Sequence, residues 1–192
     1  LMLTMQEITR LGYDPQKGID LHFYEKAAAA GRSVVGLETV EEQVDMISGT
    51  LEPIQEKELA EFVDEVDTLG EIYSDMVAAW EAGDAAAMKS IIDETFSDDP
   101  EVKEFTVKLI DERNVRMADR LGKLMARGKK CFAVVGSAHL VTDESILALL
   151  EAKGCTITQV YKKAAAPQVE EKADEAPLGA GALQGVMITP GT

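Results

Sequence analysis

Three residue types in this chain carry chemistry at positions where ordinary packing does not ask for them. His139 closes Gly136-Ser137-Ala138-His139, directly after the apolar run Phe132-Ala133-Val134-Val135. An imidazole placed there can bind a metal or take a proton near neutral pH. The competing reading is a loop histidine that hydrogen-bonds the backbone. Gly136 and Ala138 are small enough for a ligand to approach the main chain. Ser137 stands outside any Gly-x-Ser-x-Gly pattern, so a serine nucleophile is disfavoured. Arg113 lies four residues after Leu109 and four before Met117, on the apolar stripe of a long helical stretch. A guanidinium there needs an acid or a polar cleft, unless it snorkels at the edge of the stripe. Asn114 beside it adds an amide donor and acceptor. Glu38 ends the apolar run Ser33-Val34-Val35-Gly36-Leu37. It can hold a metal, act as a base, pair with Arg113, or simply favour the start of the following helix. His22, the other histidine, sits near Asp20, and the two would point together only on an extended segment.

The elements around these residues read as an α/β domain: a mixed or mostly parallel sheet flanked by helices, with a helical insertion in the middle. Residues 33–37, 131–136 and 155–161 have the short apolar pattern of buried strands. Helices are expected over Asp20 to Ala30, from the capping box Thr39-Val40-Glu41-Glu42 onward, and over Asp143 to Lys153. Between 53 and 98 apolar residues recur at helical spacing, with Gly83-Asp84 as a break and N-cap. Asp99-Pro100 begins a long helix, and Arg127-Gly128 ends it. Glu38 and His139 would then emerge at the same sheet edge, where ligands bind in open α/β folds, and Arg113 would meet Glu38. The domain should span 1–161, with the helical insertion at about 53–98. Residues 162–192, rich in Ala, Glu, Gly and Pro, should be a disordered tail.

At 192 residues with 46% hydrophobic content, the chain is long enough for one cored domain. Its net charge of −16 disfavours nucleic acid and anionic membrane surfaces, which select clustered Lys and Arg. No apolar run reaches the roughly 20 residues of a membrane span. The residues after Leu1 do not read as a secretory signal. The two cysteines, Cys131 and Cys155, open neighbouring strand candidates; they can be two buried free thiols or a disulfide. They form no cluster with histidine that suggests structural zinc.

Taken in order, several segments resemble the TraB/GumN family, which is related to the TIKI metalloproteases. They are Gly18-Ile19-Asp20-Leu21-His22-Phe23, Val35-Gly36-Leu37-Glu38-Thr39 with Gln43, Glu112-Arg113-Asn114 with Met117-Ala118, and Val134 to Leu140. The agreement runs from about Leu11 to Tyr161. The resemblance implies an α/β fold with two Gly-x-x-His motifs, an essential glutamate and an Arg-Asn pair. Gly136 to His139 matches the second motif; the first would lie upstream of Leu1. It implies a metal-dependent, peptidase-like hydrolase using manganese, cobalt or zinc. His139 and Glu38 would be metal ligands, His139, Glu38 and Arg113 catalytic, and Asn114, Gly136 and Ser137 substrate-binding. The alternative is a non-catalytic protein that binds or sequesters a peptide or pheromone. Partners would be a peptide or small-molecule substrate. A signal upstream of residue 1 would place the protein in the bacterial periplasm or another extracytoplasmic space.

Overall fold

The protein is described by a computed structural model covering residues 2–48, 52–95, 99–128, 130–160 and 185–190. Helices dominate. They run α1 (Met2–Arg10), α2 (Ile19–Ala29), α3 (Val40–Ser48), α4 (Glu52–Glu65), α5 (Leu69–Ala82), α6 (Ala85–Glu94), α7 (Pro100–Ala126), α8 (Ala138–Val141) and α9 (Ile146–Ala152). A single 3-10 turn, Pro15–Lys17, separates α1 from α2.

Local chemistry sets many of these boundaries. The Thr39 hydroxyl accepts from the Glu42 amide at 3.1 Å and the Glu42 carboxylate accepts from the Thr39 amide at 2.8 Å, a reciprocal capping box at the head of α3. Gly83 closes α5 in the left-handed region at φ 68°, and the Asp84 carboxylate then caps α6 through the Ala87 amide. Asp99 caps α7 and Pro100 occupies its first turn. Ser145 caps α9 by accepting from the Ala148 amide at 3.2 Å.

The expected α/β sheet is not formed. Among the described residues the strands are β1 (Cys155–Val160) and β2 (Gly185–Pro190), paired antiparallel from Cys155 opposite Pro190 to Val160 opposite Gly185. Residues 33–36 and 131–136 belong to no ladder. Their side chains are not buried as strand-core residues would be: Val35 is 64% exposed and Phe132 72%. A short apolar run states that burial is favourable but not which backbone will accept its hydrogen bonds. Helices cover the core here instead. Met117, Ala118 and Leu121 of α7 pack with Ile146 and Leu150 of α9, and Leu37, Val135, Cys155 and Ile157 lean on the same cluster. Full burial of side chains such as Ile146 and Leu150 stabilises by about 1.5–3 kcal/mol each.

A second cluster joins Ala79 of α5 with Met88 and Ile92 of α6, and Ala138 and Val141 of α8 pack against it. The stretch expected as an insertion thus comprises α4 to α6, with α6 against α8 and α4 against α7. Cys131 and Cys155 are not joined in a disulfide; Cys131 is exposed and Cys155 half-buried. Of the tail expected to be disordered, residues 162–184 and 191–192 lie outside the described residues, and Gly185–Pro190 instead forms β2 by pairing with β1. No described helix is long and apolar enough to cross a membrane.

Candidate functional site

Adjacent residues of α7 reach two different partners. Arg113 turns to Glu38, donating from Nε to Oε1 at 2.9 Å and Oε2 at 3.2 Å, and from Nη2 to Oε2 at 2.7 Å. Both carboxylate oxygens are engaged, the geometry that makes Arg–carboxylate pairs strong. The Glu38 side chain is 6% exposed and that of Arg113 22%. The hydrogen bonds and charge of Arg113 hold the Glu38 carboxyl below the ordinary carboxylate range. Gly36 allows the chain to arrive there: a Cβ on it would stand 2.8 Å from the Glu38 carbonyl oxygen.

Asn114, fully buried, turns to His139. Its Nδ2 donates to the Glu144 carbonyl at 2.8 Å and faces the Thr142 hydroxyl at 3.4 Å. A carbonyl can only accept, so the amide orientation is fixed, and Asn114 Oδ1 must be the acceptor at 2.7 Å from His139 Nδ1. His139 therefore carries its proton on Nδ1 and presents a lone pair on Nε2. Burial, and then the nearby Arg113 charge, lower the His139 pKa, with Glu38 opposing. The ring is neutral at pH 7 with Nε2 available as a base or a ligand.

Helix α7, rather than a sheet edge, is what brings Glu38 and His139 into one electrostatic neighbourhood. Ser137 and Gly136 lie at the start of the turn carrying His139: the His139 amide donates to the Gly136 carbonyl and the Leu140 amide to that of Ser137. A Cβ at Gly136 would sit 3.8 Å from His139 Cδ2, ordinary contact, so Gly136 is not a steric requirement of the turn. His22 does not join this group. It lies in α2 with its ring edge-on to Phe23 at 5.2 Å, and the helix sends Asp20 and His22 to different faces.

A TraB/PrgY/gumN family profile matches residues 1–159. The chain belongs to this family. No curated protein and no solved structure matches it. In this TraB/PrgY/gumN chain the segment from Leu37 to Glu42 is clamped a second time, by Arg120, a residue the sequence reading passed over. Its Nη1 donates to the Leu37 carbonyl and to Glu42 Oε2, the latter at 2.9 Å, and its Nη2 to Glu42 Oε1 at 2.5 Å. The available signal was spacing: Arg120 is two helical turns beyond Arg113 on the same face. Arg120, with help from the Thr39 amide, lowers the Glu42 pKa to about 2.

A depressed carboxylate pKa gives stability that is present above the unfolded value and lost as pH falls toward the folded one. For Glu42 that window runs from 4.5 down to about 2. Glu42→Gln should flatten this part of a melting-temperature profile. An unchanged acid arm would show that the clamp contributes nothing.

A divalent ion does not fit the described residues as they stand. No three His, Cys, Asp or Glu side chains gather to hold one, and both Glu38 oxygens already face Arg113. His139 Nε2 is a single candidate ligand.

Proposed function

We propose that this chain carries the histidine side of a hydrolase site acting on peptides, with His139 Nε2 as its reactive nitrogen. The observation supporting this reading is the Asn114 clamp, which delivers a neutral imidazole with a defined tautomer next to an Arg–Glu pair. Such a base takes a proton from water as the water oxygen bonds to a peptide carbonyl carbon. The proton then passes from Nε2 to the leaving nitrogen as the C–N bond breaks. Arg113 Nη1, which Glu38 does not use, is the donor nearest in kind to what a developing oxyanion needs. Gly136 and Ser137 would place substrate beside the histidine, and Asn114 acts through it as a positioning residue. A family metal would have to find most of its ligands outside the described residues.

The test is calorimetric titration with manganese, cobalt and zinc, together with peptide hydrolysis by the wild-type chain and by His139→Ala. Expected are weak metal binding and hydrolysis that disappears in the variant. Tight one-to-one metal binding would overturn the ligand assignment. Hydrolysis that survives the substitution would overturn the role of His139. The second reading, a non-catalytic peptide-binding protein, is favoured by the apolar cleft described next; binding without turnover would select it.

A further inference from the structure

Beside the His139 turn lies a cleft of about 610 Å³ between α1, the 3-10 turn and α5. Its walls include Ile8, Met76, Ser137 and three aromatic rings, Tyr13, Tyr73 and Trp80. The rings of Tyr13 and Tyr73 stand 6.3 Å apart at a tilt of 50°. Burial raises the Tyr73 phenol pKa, so it remains neutral. The charged members of the rim, Asp14 and Lys17, lie 3.8 Å from one another.

We infer that this cleft is a subsite for an uncharged aromatic group, a phenyl or phenol ring, on the ligand handled at His139. The volume falls within the range of small-molecule pockets, about 300–1,000 Å³. Tilted rings and a methionine thioether are the surroundings in which a further aromatic ring gains most beyond simple area burial. A charged group would lose hydration there and meet a rim whose two charges already face each other. The cleft adjoins the His139 turn through Ser137. Met88, in its wall, belongs to the cluster against which Met76, also in the wall, and Ala138 both pack, and Ser137 begins the turn that carries His139. The link to a reacting bond rests on the proposed role of His139; the binding itself does not.

Trp80, the chain's one tryptophan, reports on occupancy. The chain is titrated with N-acetyl-phenylalaninamide, N-acetyl-lysinamide and N-acetyl-glutamic acid amide, followed by tryptophan fluorescence and in parallel by saturation-transfer NMR. Saturable binding of the phenyl compound is expected, roughly tenfold or more tighter than either charged one. Val77→Asp, or Tyr13→Ser should the first variant not fold, should weaken it by a similar factor. His139→Ala should leave it intact. Equal binding of all three amides, or no saturable binding of the phenyl compound by either method, overturns the subsite. Aromatic binding retained by a protein that cleaves no peptide would overturn the hydrolase reading and leave the subsite standing. Cleavage without aromatic preference would do the reverse.

Discussion

Arg113→Met is expected to cost about 3 kcal/mol of folding stability, the lower end of the range for breaking a buried ion pair. The cost arises on the other side of the pair. Glu38, with its side chain 6% exposed, is left a charge whose remaining side-chain donor among the described residues is Gln43 Nε2 at 3.5 Å. Arg113 itself, 22% exposed, keeps some access to water, which places the figure at the low end. Glu38→Gln added to Arg113→Met removes the stranded charge and should recover about half of the loss. Denaturant unfolding of the four species gives the coupling directly. Because Arg113 depresses the Glu38 pKa below 4.5, the pair stabilises above that pH and its contribution fades as acid protonates the carboxylate. The Arg113→Met protein should therefore lose less on acidification than wild type. A single variant within about 0.5 kcal/mol of wild type would place the pair among weak surface bridges.

The second large effect concerns proton transfer. If the chain hydrolyses peptides as proposed, His139→Ala should lower the rate by about 10²–10⁴-fold. It should also destabilise the fold by roughly 1–3 kcal/mol, because the Asn114 oxygen loses its donor in a buried place. The pH profile separates the two roles. Burial lowers the His139 pKa beneath 6.5, so the acid limb of kcat/KM should have its midpoint below that pH. Stability linked to this residue is likewise present above 6.5 and falls as pH drops through the folded value. In Asn114→Asp the carboxylate would favour the imidazolium and shift the limb upward. An acid limb that stays in place in Asn114→Asp would count against His139 as the titrating base.

Which parts of this structure could be read from the residues follows from the range of the forces involved. Thr39 with Glu42, Asp84 after Gly83, and Asp99 before Pro100 specify helix ends within a few residues, and each acts as its spacing predicts. The Arg113–Glu38 pair was legible for a different reason: a guanidinium on an apolar stripe demands a counter-charge wherever the chain can supply one. The strands were not legible. Val34, Val35 and Phe132 have the composition of sheet core, but a ladder depends on a partner's backbone, about which the run itself is silent. The Asn114–His139 bond fell between these cases. Both residues stood out singly, yet it is the Glu144 carbonyl, in the turn between α8 and α9, that determines which way the amide turns.

The 27 residues of α7 form a rod of about 40 Å, and the core cluster, the Glu38 clamp and the Asn114 relay are all fastened to it. Its middle turns cannot loosen without releasing Met117, Ala118 and Leu121 from α9 in the same event. Local fraying, the inexpensive motion by which many proteins admit ligands, is thus closed to this helix, and its central amides would exchange with solvent only through near-global opening.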